Sequence, residues 1–239
     1  MITARGDELL QRTAAELASE TGGEVTPLQG DMSVVEDVER TVAETIGRFG
    51  RIDILVTCAG SSPGGLLENL TEDDWFGSLN LKFMGYVRTC RAVVPHMREA
   101  GSGSIVLVVG NDGLKPSYWE MTAGVANAAD INFASSLAEQ YGPLGIRVNT
   151  VNPGPVNTER WDGLEKAFAR DKGIDQDAAH ELAIGSLPLG RICEPEEVAN
   201  LVAFLASPRA SYLERRAHPD GRRAAQGADG PLGTARGLG

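Results

Sequence analysis

The segment Thr122–Asp130, with the sequence TAGVANAAD, stands where an α/β protein would be expected to carry reactive groups. It follows a buried apolar run, Ser104–Gly110, and a polar loop, and it opens an amphipathic helix. Open α/β folds have their ligand contacts beyond the carboxyl ends of their strands. The segment lies at such a place, because it follows the apolar run and its loop. Yet the segment contains no Tyr, Lys, His, Cys or Glu, so it lacks the usual groups for proton transfer or nucleophilic attack.

Strand and helix patterns that alternate along the chain would position this segment. The run Ile52–Gly60 is continuously apolar, which is typical of a strand buried on both faces of a parallel sheet. Similar runs occur at Ser104–Gly110 and Ile146–Gly154. Strands that alternate with helices form βαβ units with right-handed crossovers. The sequence therefore predicts an α/β fold with a doubly wound parallel sheet.

Several local patterns mark the ends of the helices. Leu9, Leu10, Ala14 and Leu17 share a face of the first helix, which Gly22 and Gly23 terminate. Capping-box patterns indicate two further helix starts, one at Ser33 with Glu36 and one at Thr71 with Asp74. A polar, helical excursion is expected over residues 159–186, and the last clear helix begins at Glu194.

Composition and charge exclude several classes of protein. The 239 residues are 42% hydrophobic and 23% charged, which is ordinary for a single globular α/β domain. A net charge of −11 argues against binding to nucleic acid or to an anionic membrane. No apolar run is long enough for a transmembrane helix, and the first residues do not resemble a signal peptide. We therefore expect a cytoplasmic protein whose partner is a small-molecule substrate.

The two ends of the chain differ from the rest. The first residues, MITAR, read as the tail of a strand rather than its start. Beyond Leu213 the apolar periodicity stops and Arg, Gly and Ala dominate, a composition that cannot bury a face. We expect one folded domain over residues 1–213 and a disordered tail over residues 214–239.

Four stretches in order resemble the short-chain dehydrogenase/reductase family of NAD(P)-dependent enzymes. They are TCAG at 57–60, NLKFMG from Asn80, GIRVNTVNPGPVNT at 145–158 and LPLGRICEPEEVANLVAFLAS at 187–207. Each motif alone is weak, but the ordered set is specific and spans residues 2–212. The resemblance implies a Rossmann-like sheet and an oxidoreductase that interconverts an alcohol and a carbonyl group.

The resemblance also implies a set of cofactor contacts. An acid after the family's third strand binds the adenine amino group, small residues lie close to the cofactor, and a Pro-Gly segment holds the nicotinamide amide. A basic residue after the second strand favours NADP over NAD, so NADP is slightly favoured here. Each residue also has a structural interpretation, as a turn former or a solvated charge. The cofactor-binding positions carried over are Arg5, Asp31, Met32, Cys58, Ala59, Gly60, Asn127, Pro153, Gly154, Val156 and Thr158.

The family's acid–base chemistry is matched at one position of four. Asn80 corresponds to the family Asn, whereas Gly110, Ala123 and Asn127 stand at the Ser, Tyr and Lys positions. Asn127 is able to hydrogen-bond a ribose hydroxyl, but it has no charge with which to lower the pKa of a phenol. Ala123 cannot transfer a proton, and such a loss typically lowers the rate by about 10²–10⁴-fold.

Two elements of the family pattern are missing at the ends. The first strand with its Gly-rich turn does not precede Met1, and the last strand is absent after residue 213. Because that first strand is central in the family's sheet, its absence would leave the second and third family strands without a neighbour joining them to the rest. We expect the chain to be a partial reading of a longer gene product, with an internal start and a shifted frame at the end.

Two functions remain open. The first is an NAD(P)-dependent oxidoreductase with substitute catalytic groups, since hydride transfer belongs to the cofactor. The second is a non-catalytic cofactor-binding or scaffold member of the family, a pseudoenzyme. The resemblance implies a homodimer or homotetramer in either case, assembled through the helix bearing Asn80 and the helix after Thr122. Trp75, Trp119 and Trp161 are candidates for a substrate pocket.

Overall fold

The computed structural model describes residues 1–213, in which five strands form two parallel sheets. In one sheet β1 (Ile2–Ala4) pairs with β2 (Pro27–Gln29). In the other, β3 (Ile54–Thr57), β4 (Gly103–Val108) and β5 (Ile146–Val151) lie in that order. The predicted α/β class is confirmed. In residues 1–213, β1 and β2 pair with each other and not with the other three strands, and the missing first strand of the family pattern stays a prediction.

Helices connect these strands and cover the sheets. α3 and α4 are consecutive and are joined by a single π-helical turn, Leu79–Phe83. The helices of residues 1–213 are α1 (Asp7–Thr21), α2 (Val35–Phe49), α3 (Glu72–Ser78), α4 (Met84–Ala100), α5 (Met121–Tyr141), α6 (Glu159–Lys172), α7 (Gln176–Gly185) and α8 (Pro195–Ala206).

The caps of the helices confirm one predicted start and correct another. Thr71 and Asp74 form the expected capping box at the start of α3. The prediction at Ser33 and Glu36 is wrong, because the residue before α2 is Val34 and no side chain caps the helix. The Ser33 hydroxyl instead donates to Asp31 Oδ1 at 2.7 Å, so Ser33 belongs to the turn that precedes the helix.

The strand β3 differs from its prediction. Ile54 and Val56 are 49% and 44% exposed, so this strand is not buried on both faces in the described chain. The reason is topological: β3 pairs with β4 on one edge only, and nothing in residues 1–213 covers the face that Ile54 and Val56 share. The first helix shows a similar difference, since Leu10 and Ala14 are buried but Leu9 and Leu17 are exposed.

The core lies on both faces of the three-stranded sheet. On one face, buried side chains of β4 and β5 pack against α4 and α5, with Met97, Ile105 and Ile146 fully buried. On the other face, α8 packs against Val106 and Val151. This packing fixes the carboxyl ends of β3, β4 and β5 relative to the first turns of α5 and α6.

Within residues 1–213 no helix is both long and apolar enough to cross a bilayer. The tail expected to be disordered, residues 214–239, lies outside the described residues.

Candidate functional site

A cavity of about 220 Å³ lies at the carboxyl ends of β3, β4 and β5, against the first turns of α5 and α6. It contains most of the cofactor-binding positions that the family resemblance implied, together with all three positions where catalytic groups are replaced. The predicted residues that line it are Cys58, Gly60, Gly110, Ala123, Asn127, Pro153, Gly154, Val156 and Thr158. The structure therefore brings together segments that are up to 100 residues apart in sequence.

Gly110 and Asn127 fit each other closely. The φ angle of Gly110 is 153°, a value that residues with a side chain rarely adopt. A Cβ atom at Gly110 would lie 2.5 Å from Asn127 Nδ2 and 2.9 Å from Asp112 Oδ1. Serine at position 110 is therefore incompatible with the present positions of Asn127 and Asp112. The replacements at the Ser and Lys positions of the family are structurally coupled.

Asn127 is buried and only half of its amide is paired. It is 1% exposed, and its Nδ2 group donates to Asp112 Oδ1. Its Oδ1 atom has no hydrogen-bond partner in the structure. A buried acceptor without a donor is unfavourable, and native structures contain few of them. Because Asn127 lines the cavity, a hydroxyl or amide group of a ligand would satisfy this atom.

Charged side chains that sequence reasoning missed also line the cavity: Lys82, Asp112, Glu120 and Arg160. Burial lowers the pKa of Lys82, whereas the nearby Asp112 carboxylate opposes that change. Burial raises the pKa of Glu120, and the negative charge of Asp112 raises it further. The cavity thus contains an amine, Lys82, whose pKa is lowered and a carboxyl, Glu120, whose pKa is raised.

Asn80 lies outside this cavity. Its side chain is exposed, with Nδ2 3.5 Å from the carbonyl oxygen of Ser33. Its Oδ1 atom accepts a hydrogen bond from Arg88 Nη2 at 2.7 Å. The structure therefore does not bring Asn80 to the other predicted catalytic positions. Lys82, two residues later in the same motif, points to the cavity instead.

Arg5, Asp31 and Met32 lie at the carboxyl ends of β1 and β2, and they do not line the cavity; neither does Ala59. Asp31 Oδ1 accepts hydrogen bonds from the amide and hydroxyl of Ser33, and the hydroxyl bond lowers the pKa of Asp31. The positive charge of Arg5 contributes to the same change. Asp31 therefore stabilises a turn, and its contact with adenine stays a prediction.

Tyr86 is a phenol at the wall of the cavity, but its hydroxyl is already engaged. It donates to the carbonyl oxygen of Val108 at 2.6 Å, and the side chain is 2% exposed. Burial raises the pKa of Tyr86 well above its ordinary value. Tyr86 is therefore fixed and neutral, and it does not replace the tyrosine that Ala123 lacks.

A second cavity, of about 350 Å³, adjoins the first. The two share the wall formed by Asn111, Asp112, Glu120, Pro155, Trp161 and Leu164. The second cavity is aromatic: Trp119 and Phe168 meet edge to face with ring centroids 5.3 Å apart. Trp119 and Trp161, both predicted pocket residues, line it, whereas Trp75 does not.

A cluster of paired polar groups lies at the second cavity and beside it. Glu165 is 6% exposed and accepts a hydrogen bond from Trp161 Nε1 at 2.7 Å. His180 Nδ1 lies 2.7 Å from the same carboxylate oxygen. Trp119 Nε1 donates to Asp171 Oδ2 at 2.9 Å. Sequence reasoning missed Glu165, because a single Glu in a polar helix carries no signal of burial.

Comparison with known proteins assigns the family. The family model described as Enoyl-(Acyl carrier protein) reductase matches residues 1–217. The short-chain reductase protein NovJ of Streptomyces niveus is 35% identical, over 91% of this chain and 82% of that protein. The 3-oxoacyl-(acyl-carrier-protein) reductase FabG of Chlamydia muridarum is 30% identical, over 87% of this chain and 79% of that protein.

Solved structures give the same assignment. NAD⁺-bound xylitol dehydrogenase superposes with a TM-score of 0.85 at 25% identity, over 89% of this chain and 84% of that one. Actinorhodin polyketide ketoreductase with NADPH superposes with a TM-score of 0.84 at 28% identity, over 89% of this chain and 82% of that one. The chain belongs to the short-chain dehydrogenase/reductase family, a class of Rossmann-like NAD(P)-binding oxidoreductases.

Proposed function

We propose that this protein binds NADPH or NADH in the 220 Å³ cavity and reduces the carbonyl group of a small, largely apolar compound held in the adjoining aromatic cavity. Family membership supports the reaction type, and two contiguous cavities support a site for a cofactor beside a site for a substrate. When bound, the reduced cofactor supplies the hydride for the carbonyl carbon.

The observation that carries this proposal is the unpaired Oδ1 atom of Asn127. It is a buried acceptor of a residue that lines the cavity, at the position where the family lysine holds the nicotinamide ribose. A ribose hydroxyl is a donor and would satisfy it. The Asp112 carboxylate fixes the amide orientation by accepting one hydrogen bond from Nδ2, and the acceptor oxygen has no partner among the described residues.

The other residues of the cavity have simple roles in this proposal. Pro153, Gly154 and Val156 offer backbone groups to the nicotinamide amide, and the Thr158 hydroxyl lies in the same segment. Gly60 and Cys58 form the opposite wall. Trp161 separates the two cavities and excludes water from the reacting atoms, because its ring lines both.

The choice between the two cofactors depends on Arg5 in this proposal. Arg5 is exposed at the carboxyl end of β1, and its charge reaches Asp31. A guanidinium at this place would pair with the 2′-phosphate of NADP, so NADPH should bind more tightly than NADH. The variant Arg5→Glu should reverse that preference, and its failure to do so would assign Arg5 a solvated role.

Calorimetric titration with NADPH and NADH tests cofactor binding. Asn127→Ala should weaken NADPH binding by about five- to tenfold, the value of one hydrogen bond to a buried acceptor. Asn200→Ala, on the exposed surface of α8, is the matched control and should not change it. Absence of NADPH binding by the unaltered protein would overturn the proposal. Equal affinity in the Asn127 variant would remove its main support.

A non-catalytic, cofactor-binding role is the second candidate. It is favoured by Ala123, which has no proton to give, and by the engaged hydroxyl of Tyr86. Incubating the protein with NADPH and a panel of cyclohexanone, acetophenone and ethyl acetoacetate separates the two candidates. Oxidation of NADPH supports the reductase, and binding without oxidation supports the non-catalytic role.

A homodimer or homotetramer is part of the proposal as well. The family resemblance assigns the subunit interface to α4 and α5, and Met84 and Val125 on these helices are exposed apolar side chains. Light scattering after size exclusion measures the assembly, and Val125→Glu should dissociate it. A cytoplasmic location stays a prediction from the sequence.

A further inference from the structure

The π-helical turn between α3 and α4 sends one lysine into the cavity. The amide of Met84 donates to the carbonyl oxygen of Leu79, five residues earlier, so the turn holds one residue more than an α-helical turn. In this turn Asn80 is exposed, while Lys82 lines the cavity.

The stem of Lys82 is held against the end of β3. Its Cδ, Cγ and Cε atoms lie 3.4, 3.5 and 3.6 Å from the place that a Cβ atom at Gly60 would take. The absence of a side chain at Gly60 thus leaves a groove for the methylene groups. An apolar stem that is covered in this way carries its ammonium group to a fixed place.

The ammonium group of Lys82 is surrounded by charged groups from every side of the cavity. Asp112 after β4 and Asp130 on α5 favour its protonated form, whereas burial and Arg160 on α6 disfavour it. Cys58 after β3 and Glu120 before α5 complete its surroundings. The balance lowers the pKa of Lys82, so this amine gives up a proton more readily than an exposed lysine.

The cavity beside Lys82 is open at the position where the family carries its phenol. Ala123 is buried and lines the cavity with a methyl group only. A carbonyl oxygen placed beside Ala123 would meet no acidic side chain at the family's Tyr and Lys positions on α5, which are Ala123 and Asn127. Lys82 and Arg160 are the cationic donors among the described residues that line this cavity; Arg160 Nη2 already donates to the carbonyl oxygen of Ser62, and the Lys82 stem lies against Gly60.

We propose that Lys82 is the proton donor of this reductase, replacing from the π-helical turn before α4 the acid that α5 lacks. This inference rests on the proposed cofactor-dependent reduction. In the step, a bound reduced nicotinamide would supply the hydride for the new C–H bond, and the π electrons of the C=O bond would move to oxygen. That oxygen takes a proton from Lys82 Nζ as the N–H bond breaks. The products are the alcohol, the oxidised cofactor and a neutral amine, which regains its proton from solvent.

Cofactor affinity tests the placement of the ammonium group without turnover. The oxidised nicotinamide is cationic and the reduced one is neutral, so a nearby ammonium should weaken NADP⁺ binding relative to NADPH. Lys82→Met should lower the ratio of the NADP⁺ and NADPH dissociation constants by about three- to tenfold. The control Lys166→Met, in an exposed residue of α6 that lines neither cavity, should leave the ratio unchanged. An unchanged ratio in Lys82→Met overturns the proposal.

Turnover with the ketone panel tests the chemistry. Lys82→Met should lower kcat by about 10²–10⁴-fold with little change in NADPH affinity. Lys82→Ala should regain activity with added methylammonium, which a merely structural role would not permit. In the unaltered protein kcat should fall as the pH rises through the lowered pKa of Lys82, and Lys82→Arg should move this fall to higher pH.

The outcomes separate the two proposals. If the unaltered protein does not bind NADPH, the proposed function fails and the role of Lys82 fails with it. If it binds and oxidises NADPH while Lys82→Met does so at the same rate, the role of Lys82 alone is overturned. If it binds NADPH but reduces no ketone of the panel, the role of Lys82 is overturned and the non-catalytic candidate is supported.

Discussion

The two adjoining cavities differ in how their buried polar groups are paired. In the aromatic cavity, Glu165 accepts from Trp161 and contacts His180, and Asp171 accepts from Trp119. At the other cavity, Asn127 Oδ1 has no hydrogen-bond partner within residues 1–213. One turn further along α5, both carboxylate oxygens of Asp130 also have no partner in this described part of the chain.

This difference separates the cluster around Glu165, whose polar groups have hydrogen-bond partners, from the region of Asn127 and Asp130, which has unpaired acceptor atoms among the described residues. Paired polar groups hold α6 and α7 in place and shape the aromatic cavity, so their role is structural. Unpaired groups lower stability, and a protein retains them where a ligand or a reaction uses them. Changes in the two regions should therefore have opposite effects on stability.

The largest loss should follow from breaking the paired cluster. Glu165→Leu leaves Trp161 Nε1 and His180 Nδ1 without their acceptor, which should lower the free energy of unfolding by about 3 kcal/mol. Urea denaturation measures this change in the free energy of unfolding. Glu181→Leu, an exposed glutamate of α7, is the control and should change stability by less than about 0.5 kcal/mol. Equal losses in the two variants would contradict the assignment of Glu165 as a structural centre.

Replacing Asp130 should raise the free energy of unfolding, whereas replacing Glu165 should lower it. It is fully buried, and burial raises its pKa to about 7, whereas an unfolded Asp titrates near pH 3.9. Between these values the folded state holds a proton that the unfolded state has lost. Stability from this group is therefore greatest at low pH and falls as the pH rises to about 7. Asp130→Asn should be about 2 kcal/mol more stable than the unaltered protein at pH 8.

The pH series supplies the control for Asp130. Near pH 4 the two proteins should have similar stability, because the carboxyl is then protonated in the folded state. Asp177→Asn, which removes an exposed carboxylate of α7, is the control variant. A pH dependence that is identical in Asp130→Asn and in the unaltered protein would show that Asp130 is ionised when folded.

Restoring the family serine tests the coupling between Gly110 and Asn127. Gly110→Ser places a side chain at φ 153° and against Asn127 Nδ2, and it should lower stability by about 1–3 kcal/mol. Gly47→Ala, inside α2 with open space around it, should instead raise stability by about 0.5–1 kcal/mol. The double variant Gly110→Ser with Asn127→Ala should recover part of the loss, and simple additivity would disprove the coupling.

The smallest effect should come from one hydrogen bond of the aromatic cavity. Trp119→Phe removes the bond from Nε1 to Asp171 while keeping an aromatic ring against Phe168, and it should cost about 1 kcal/mol. Trp75→Phe, in a tryptophan that lines neither cavity, is the comparison. A larger loss at Trp75 than at Trp119 would place the more important indole contact outside the cavities.

Periodicity and motif order were enough to predict the α/β fold and the gathering of residues from Cys58 to Thr158 in one cavity. These features depend on local patterns and on the rule that parallel strands end at one edge. The exposure of Ile54 and Val56 was not predicted, because an apolar run shows which residues prefer burial and not which elements are available to cover them.

The residues that complete the site could not be found in the same way. A π-helical turn changes which residue faces the cavity, and a regular helical period does not show that Lys82 rather than Asn80 points inward. Glu165 and His180 meet only because α6 and α7 pack together. The capping-box spacing of Ser33 and Glu36 did not reveal that the Ser33 side chain would hydrogen-bond to Asp31 instead of capping α2.

The tryptophan shared by the two cavities provides an optical probe. The indole of Trp161 lines both the proposed cofactor site and the aromatic site, and Trp119 lines the second. Indole emission overlaps the absorption of a reduced nicotinamide, so energy transfer should quench these two residues far more than Trp75. Fluorescence lifetimes would then show, without an added label, the order in which the cofactor and the carbonyl compound bind.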